Sequence, residues 1–277
     1  MKIEKIHTKN ARYQKFEVLK SNRNKRYKYQ EFLVEGVRNI NEAINKGWNI
    51  KALLYPGQKK LSDWAKGIIR DTNTEINYEL DPNLMKELSG KEDTSEIMAI
   101  IAMASDDLNA ITFSKNPVIA LFDRPSNKGN LGTIIRSCDA LGVECLIITG
   151  HSVDLYDPEV VVSSMGSFFN MKVVRVSENQ EILDFFANMK KNYPTIQVIG
   201  TTAHKEHPIY ELDLSGPVIF MIGNETDGLS YTLKEACDVL TTIPMVESSF
   251  ASSFNVGCAA TVMFYEASRQ RNLYYGE

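Results

Sequence analysis

Short apolar runs with no polar interruption constrain the fold of this chain most strongly. Two examples are Val118-Ile-Ala-Leu-Phe122 and Val218-Ile-Phe-Met-Ile222. A strand with one solvated face alternates between apolar and polar residues, whereas a parallel strand covered by helices on both faces is apolar throughout. The runs therefore predict a parallel sheet between two layers of helices.

Strands and helices alternate along two stretches of the 277 residues, as in α/β folds. Residues 105–116 are polar, without a sustained period, and separate the two stretches. We therefore expect an α/β domain over 1–104, a linker over 105–116 and a second α/β domain over 117–277. The predicted strands are 31–35, 50–55, 75–79, 97–104, 118–123, 145–149, 172–176, 196–200, 218–222 and 239–243. The predicted helices are 9–24, 37–46, 61–70, 82–89, 131–141, 158–165, 180–191, 232–236 and 255–272.

The charge of the chain is unevenly distributed. Residues 2–28 carry ten Lys or Arg against two Glu, a net +8, so the rest of the chain carries −12 of the total −4. Such an asymmetry suggests a polyanionic partner for the amino end, although a charge run is also typical of a solvated helix face.

Nothing in the chain predicts export, a membrane span or a metal site. The first ten residues lack the apolar core of a signal peptide, and the longest apolar runs are far shorter than the ~18 residues of a membrane helix. The four cysteines form no CxxC pair, and His204 and His207 lack a zinc signature. We expect a cytoplasmic protein without a metal.

Three loops follow or precede predicted elements at positions where ligands bind in parallel sheets. The first, 123–142, passes through Gly129 and Gly132 into a helix that carries Arg136; it suits either an anion site or a tight turn. The second, 223–228, reads Gly-Asn-Glu-Thr-Asp-Gly and suits either close ligand approach or a turn. The third, 243–257, is rich in Ser and Asn before a helix, which capping alone would explain.

Taken in order, these loops resemble three motifs of the SpoU (TrmH-like) family of RNA ribose 2′-O-methyltransferases in the SPOUT superfamily. The resemblance covers residues 117–272, with its motifs at 127–142, 223–228 and 243–271. The stretch 29–43, Tyr-Gln-Glu-Phe-Leu-Val-Glu-Gly-Val-Arg-Asn-Ile-Asn-Glu-Ala, resembles the RNA-binding domain, related to small ribosomal proteins, that often precedes them.

The resemblance implies a fold, a cofactor and partners. The parallel sheet of the carboxyl-terminal domain would contain a trefoil knot, and the smaller amino-terminal α/β domain would bind RNA. The cofactor would be S-adenosylmethionine, and the chain would form a homodimer through the knot. The implied catalytic residues are Asn130, Arg136, Glu225, Ser253 and Asn255. The implied cofactor-binding residues are Thr201, Thr202, Gly223, Glu225, Ile243, Met245 and Phe254.

The sequence departs from the family pattern at three positions. The third motif usually reads Ser-Leu-Asn-Val-Ser, and here Phe254 and Gly257 replace the Leu and the last Ser. Val162 stands where a basic residue is common, so one phosphate contact is expected to be missing. The implied catalytic residues are all present, which favours an active enzyme over an RNA-binding protein of the same fold without turnover. An oxidoreductase is disfavoured because no GxGxxG follows the first strand of either domain.

The basic amino end then becomes a candidate RNA contact, since aromatic residues are interleaved with its cations. The residues predicted to contact RNA are Lys20, Arg23, Lys25, Arg26 and Arg38. Ribosomal RNA is favoured over transfer RNA because of the amino-terminal domain. The sequence does not identify the modified nucleotide.

Overall fold

A computed structural model describes residues 2–57, 59–204 and 206–271, which form two compact units. The first unit runs to Ala104 and also includes Asp154–Asn170; the second contains Ser105–Val153 and the chain from Met171. The predicted boundaries placed residues 154–170 in the second domain, whereas their contacts lie within the first unit. The domain limits 1–104, 105–116 and 117–277 otherwise stay a prediction.

The first unit is built on a mixed five-stranded sheet in the order β1-β4-β3-β5-β2. Strands β1, β4 and β3 are parallel, and β5 runs antiparallel to both β3 and β2. Its strands are Ile3–Ile6 (β1), Glu31–Glu35 (β2), Ile50–Pro56 (β3), Ile76–Leu80 (β4) and Met98–Ala102 (β5). Its helices are Ala11–Ser21 (α1), Arg23–Tyr29 (α2), Val37–Asn45 (α3), Asp63–Asp71 (α4), Pro82–Ser89 (α5) and Pro158–Ser163 (α7).

The amino end differs from the sequence prediction in two ways. The predicted helix 9–24 is interrupted at Asn22, whose extended backbone ends α1 and whose side chain accepts a hydrogen bond from the backbone N–H of Lys25 in α2. The edge strand β1 was not predicted because only Ile6 of its four residues is buried, so it lacks an apolar period.

The segment Asp154–Asn170 is held within the first unit by aromatic packing and by the buried ion pair between Arg26 and Asp154. The rings of Phe168 and Phe169 pack against Phe32 and Trp48 in tilted and edge-to-face arrangements, and the indole Nε1 of Trp48 donates to the backbone oxygen of Phe169 at 2.9 Å. Burial of large aromatic side chains is a strong source of packing energy. This packing explains why the segment belongs to the first unit although neighbouring sequence lies in the second.

The second unit contains a seven-stranded sheet in the order β10-β12-β9-β11-β6-β7-β8, and all its strand pairs are parallel. The trefoil knot that the resemblance implies stays a prediction. The strands are Val118–Asp123 (β6), Cys145–Thr149 (β7), Val173–Val176 (β8), Gln197–Thr201 (β9), His207–Pro208 (β10), Val218–Ile222 (β11) and Val239–Thr242 (β12). The helices are Lys128–Ala140 (α6), Asn179–Asn192 (α8), Tyr231–Glu235 (α9) and Val256–Gln270 (α10). The predicted end of the last helix, Asn272, lies outside the described residues.

Both faces of the β6–β11 pair are covered, as the apolar runs predicted. Ile119 and Met221 belong to one core with Ile182 and Phe185 of α8. On the other face, the rings of Phe220 and Phe264 of α10 lie 5.9 Å apart. The chain runs outward from β6 through β7 to β8 and then continues on the other side of β6, so β6 and β11 meet at the point where the strand order reverses. Ligand sites in parallel sheets form at the carboxyl ends of strands at such a point.

None of the helices in the described ranges is long and apolar enough to cross a membrane.

Candidate active site

The loops that follow β6 and β11 are joined through the carboxylate of Glu225. One carboxylate oxygen accepts hydrogen bonds from the backbone N–H of Ser126 at 3.0 Å and from its hydroxyl at 2.7 Å. The other accepts from the backbone N–H of Asn127 at 3.1 Å and from Nδ2 of Asn130 at 3.2 Å. Glu225 therefore lies at the amino end of α6, where the helix dipole favours a negative charge.

The ionisation of Glu225 follows from these contacts. Its partial burial acts to raise the pKa of the carboxyl group, but the hydrogen bonds from Ser126 and Asn130 outweigh that effect and hold the pKa below its usual value. Glu225 is consequently a carboxylate at neutral pH and can accept hydrogen bonds or face a cation. It cannot donate a proton there.

Asn130 connects Glu225 to the start of the last helix. Its Oδ1 accepts a hydrogen bond from Nδ2 of Asn255 at 3.0 Å, while its own Nδ2 donates to Glu225. The Oδ1 of Asn255 caps α10 by accepting from the backbone N–H groups of Gly257 and Cys258. Three segments far apart in sequence thus share one polar network, and three of the five predicted catalytic residues are its members.

A cavity of about 650 Å³ lies beside this network. Its volume falls within the roughly 300–1,000 Å³ typical of small-molecule sites. All seven residues predicted to bind the cofactor line the cavity, as does Ser253. They are Thr201, Thr202, Gly223, Glu225, Ile243, Met245 and Phe254.

The chemistry of the lining suits S-adenosylmethionine. Ile243, Met245 and Phe254 offer apolar surface for a base, and the carboxylates of Glu225 and Asp227 offer negative charge for a cationic sulfonium or amine. Gly223 allows its backbone to lie close to the backbone of Gly228 and Leu229, since a Cβ there would lie only 2.5 Å from their atoms. The residues present therefore fit the cofactor.

The remaining predicted catalytic residue, Arg136, is not part of the network. It lies on the exposed face of α6, six residues beyond Asn130 and so about 240° around a helix with 100° per residue. Thr133 and Ala140 are exposed on the same face. The structure brings together Asn130, Glu225 and Asn255, places Ser253 in the cavity wall, and leaves Arg136 facing outward.

The residues predicted to contact RNA also separate into groups. Arg23 and Arg38 are exposed and Lys25 is partly buried, so all three stay candidates. The ammonium group of Lys20 donates to the backbone oxygens of Leu88 and Ser89. Its positive charge therefore caps the carboxyl end of α5.

The prediction that Arg26 contacts RNA is wrong. The residue is only 1% exposed, and its Nη2 lies 2.7 Å from the Oδ2 of Asp154 and 3.4 Å from that of Asp157. Nη1 donates to the backbone oxygens of Leu19 and Lys20. Arg26 therefore neutralises two carboxylates of the segment Asp154–Asn170 inside the first unit.

The two departures in the third motif have structural correlates. Phe254 lines the cavity and is 46% exposed, so its ring adds apolar surface to the wall. Gly257 is buried against α6, and a Cβ at this position would lie 3.1 Å from Cγ2 of Thr133. Glycine thus lets α10 approach α6 closely beside Thr133.

Several residues of the site were missed by the sequence analysis. Ser126 supplies two of the hydrogen bonds to Glu225, and Asn224 closes the 223–228 loop by accepting from the backbone N–H groups of Thr226 and Asp227. Both residues lie inside the loops 123–142 and 223–228 that the sequence singles out. Ser126 is next to Asn127 and Asn224 is next to Glu225, so their positions beside these residues could have identified them.

Groups of three or more His, Cys, Asp or Glu side chains able to hold a metal ion are absent from the residues that the structure describes.

The second unit is an α/β fold with a parallel sheet, and the loops at its strand ends line a cavity whose residues suit an organic cofactor.

The chain belongs to the SpoU rRNA methylase family, whose model matches residues 117–265. The SpoU L30e-like domain matches residues 10–99. A 23S rRNA (uridine(2479)-2′-O)-methyltransferase of Streptomyces viridochromogenes is 42% identical over 268 residues, which cover 96% of this chain and 92% of the relative. The 23S rRNA (guanosine(2553)-2′-O)-methyltransferase RlmP of Bacillus subtilis (strain 168) is 27% identical over 241 residues, 87% of this chain and 89% of the relative.

Solved structures show the same architecture over nearly the whole length. The SpoU methyltransferase AviRb of Streptomyces viridochromogenes, in complex with the cofactor AdoMet, has a TM-score of 0.89 and 43% identity, covering 95% of this chain and 98% of that one. An AdoMet-bound rRNA methyltransferase of Sinorhizobium meliloti has a TM-score of 0.83 and 25% identity, covering 96% and 98%. The similarity therefore includes both units of the chain.

Proposed function

We propose that this protein methylates a ribose 2′-OH of 23S ribosomal RNA in the cytoplasm, with S-adenosylmethionine as the methyl donor. The observation that carries the proposal is the network of Glu225, Asn130 and Asn255 beside a cavity lined by all the residues predicted to bind the cofactor. Relatives that align over most of this chain are named as 23S rRNA 2′-O-methyltransferases, which favours ribosomal over transfer RNA.

When bound, S-adenosylmethionine supplies an electrophilic methyl group on a sulfonium. The chain's task is then to position the ribose hydroxyl and to handle its proton. Glu225 and Asn130 organise the loops after β6 and β11, and Asn255 fixes the start of α10 against them. Because the hydrogen bonds of Glu225 are donated by the protein itself, its proposed role is to position the site.

Arg136 is proposed to hold the phosphate next to the target ribose and to stabilise negative charge on the 2′ oxygen. A guanidinium group remains protonated in proteins, so it cannot serve as the general base; the proton passes to phosphate or water. The planar fork of Arg permits two parallel hydrogen bonds to a phosphate, which Lys cannot make. Arg136→Lys should therefore lose most activity at neutral pH, and near-full activity would contradict this role.

The outward face of α6 and α10 supports a homodimer. Ser137 of α6 and Thr261 of α10 are joined by a hydrogen bond of 2.7 Å, so the two helices pack side by side. Val262 and Tyr265 on α10 are 41% and 49% exposed. We propose that a second copy covers this apolar face and that Arg136 acts in the assembled dimer.

The oligomeric state can be measured by light scattering after size exclusion. Tyr265→Arg should produce monomers, because a desolvated charge at the centre of an interface is unfavourable. Tyr231→Arg is the matched control, since Tyr231 is a 79% exposed apolar residue of the same unit outside α6 and α10. A wild-type protein that is monomeric at micromolar concentration would contradict the dimer.

The activity is tested by incubating the protein with isotopically labelled S-adenosylmethionine and either deproteinised 23S rRNA or total tRNA, followed by nucleoside analysis. The expected product is a 2′-O-methylnucleoside in 23S rRNA. Label only in tRNA would contradict the proposed substrate. Cofactor and RNA binding without any 2′-O-methylnucleoside would instead favour the alternative, an RNA-binding protein of this fold without turnover.

A further inference from the structure

Arg124, the residue directly after β6, has an unusual backbone conformation. Its φ is +48°, in the left-handed region that residues with a β-carbon adopt rarely. Such conformations persist where surrounding contacts enforce them, and they occur often at functional sites. Gly150 leaves space for the Arg124 side chain, because a Cβ at Gly150 would lie 2.8 Å from Cγ of Arg124.

The guanidinium of Arg124 is held between a buried carboxylate and a loop of the cavity. Nε and Nη2 lie 3.1 and 2.9 Å from the two carboxylate oxygens of Asp123, which is only 2% exposed. Nη2 also donates to the backbone oxygen of Gly228 at 3.0 Å. Asp123 is itself fixed by Thr149 Oγ1 at 2.9 Å and by the backbone N–H of Ser230 at 2.7 Å.

The backbone of Arg124 holds the other end of the same loop. Its carbonyl oxygen accepts a hydrogen bond from Nδ2 of Asn224 at 2.7 Å. Asn224 and Gly228 pair with each other through two backbone hydrogen bonds of 3.0 Å, which close the loop. The side chain and the main chain of one residue therefore fix both ends of the segment 224–228.

This segment forms part of the cavity wall. All five of its residues line the cavity, and the Glu225 side chain is held on the far side by Ser126, Asn127 and Asn130. The loop is thus fixed from two sides, by the Glu225 network and by Arg124. The wall has little room to adapt, since Gly223 already contacts the backbone of Gly228 too closely for any side chain.

We infer that Arg124 is a positioning residue for the cofactor cavity: by fixing the segment 224–228 it preorganises the wall against which S-adenosylmethionine binds. The inference rests on the proposed function, which places that cofactor in this cavity. Arg124 acts through the loop, so its effect should fall on cofactor affinity and leave RNA affinity unchanged.

Isothermal titration of the full-length protein with S-adenosylmethionine and with S-adenosylhomocysteine tests the inference. Arg124→Asn keeps a residue type that tolerates the left-handed conformation but is too short to reach Gly228. Arg124→Gly removes the backbone strain together with the side chain. Arg124→Lys retains the positive charge but lacks the planar guanidinium that donates to Asp123 and Gly228 together. Arg175→Gln is the matched control, since Arg175 of β8 forms an ion pair with Asp106 in the same unit, away from the loop.

We expect Arg124→Asn and Arg124→Gly to weaken both ligands at least about tenfold, as loss of a charge-assisted hydrogen bond predicts, and Arg124→Lys to be intermediate. The KM for S-adenosylmethionine should rise while the KM for RNA stays within about twofold, a division that general destabilisation does not produce. Arg175→Gln should leave both ligand affinities unchanged.

Wild-type cofactor affinity in folded Arg124→Asn or Arg124→Gly would overturn the inference, as would an equal loss in Arg175→Gln. If Arg124→Asn does not fold, the lysine variant decides: unchanged cofactor affinity in that variant contradicts the inference. Failure of the wild-type protein to bind either ligand would overturn the proposed function itself, which is a different result from loss confined to the variants.

Discussion

The amide of Asn255 donates a 3.0 Å hydrogen bond to the side-chain oxygen of Asn130, and the oxygen of the same Asn255 amide caps α10. One side chain therefore serves two structures at once, a helix end and the polar network of Glu225. The two tasks use different atoms, so they can be separated by substitution.

Asn255→Asp is expected to lose activity while keeping stability. Aspartate caps helices as well as asparagine does, but it cannot donate to Asn130. If the Asn130 amide instead turned its nitrogen toward the new carboxylate, its oxygen would face Glu225, so one contact is repulsive either way. We predict a fall of about tenfold or more in methyl-transfer rate, with unfolding free energy within about 1 kcal/mol of wild type.

Urea unfolding and single-turnover methylation measure the two quantities. Asn255→Ala should lose activity and also about 1 kcal/mol of stability through the missing cap. Asn10→Asp is the control: Asn10 caps α1 in the first unit, and its replacement should change neither quantity. Full activity in Asn255→Asp would show that the contact with Asn130 is dispensable.

Glu225 predicts a pH dependence of stability with a definite sign. Hydrogen bonds outweigh burial and lower the pKa of its carboxyl group in the folded state. A lowered folded-state pKa contributes stability that is complete above the usual carboxyl pKa, about 4.3 for Glu, and is lost as the pH falls through the folded-state value. Acidification should therefore destabilise the wild-type second unit through this residue.

Comparison with Glu225→Gln isolates the contribution. At neutral pH the variant should be less stable by about 2 kcal/mol, because charge-assisted hydrogen bonds are lost. Urea unfolding from pH 7 to pH 3 should show this difference shrinking as the pH falls. Ser126→Ala, which removes one hydroxyl donor, should show a weaker pH dependence than the wild type. A difference between wild type and Glu225→Gln that stays constant over this range would contradict the assignment.

Much of the second unit could be predicted because its strands carry their own signal. The two apolar runs predict β6 and β11, and the prediction of β7 over 145–149 also has the bounds that the structure shows. Parallel strand ends place the loops 123–130 and 223–228 at one edge of the sheet. The meeting of Glu225 with the start of α6 follows from that geometry. Strand β1 has too few buried residues to produce an apolar pattern in the sequence.

The contacts that the sequence did not predict depend on partners distant along the chain or on an uncommon backbone. Arg26 has the composition and neighbours of an exposed basic helix, and its carboxylate partner Asp154 lies 128 residues away. The left-handed conformation of Arg124 is enforced by its surroundings, and nothing about an arginine after a strand indicates it. Counting charges along the sequence therefore assigned Arg26 to the wrong role. Matching the loops to family motifs did not identify Arg124.

Gly257 predicts an energetic coupling between α6 and α10. A Cβ at this position would lie 3.1 Å from Cγ2 of Thr133, tighter than ordinary packing. Gly257→Ala should therefore cost more in the presence of Thr133 than in the presence of Thr133→Ser, which lacks that methyl group. We expect a coupling of about 1 kcal/mol from the double-mutant cycle, measured by urea unfolding.

The cycle separates crowding from the helix preference of alanine, which acts equally in both backgrounds and favours Ala over Gly. Thr112→Ser provides the control background, since Thr112 is exposed in the same unit and lies outside α6 and α10. Gly257→Ala should show no coupling to it. Additive effects of Gly257→Ala and Thr133→Ser would mean that the helices relax and the glycine is not required for their approach.

Arg26 is predicted to act through folding, and neighbouring Arg23 through RNA. Arg26→Met leaves Asp154 and Asp157 without their buried cation, and breaking such a pair by removing one partner costs about 3–5 kcal/mol. Arg23 is exposed, with its guanidinium 5.4 Å from the Tyr27 ring, so Arg23→Met should cost no more than about 1 kcal/mol. Urea unfolding should rank the two variants in that order, and equal stability of the two would contradict the role of the buried ion pair.

RNA-binding titrations at several salt concentrations test the contact of Arg23 with RNA. Arg23→Met should reduce the slope of log affinity against log salt by about one, whereas Arg26→Met, under conditions where it stays folded, should leave that slope unchanged. A reduced slope in folded Arg26→Met would show that Arg26 reaches RNA after all.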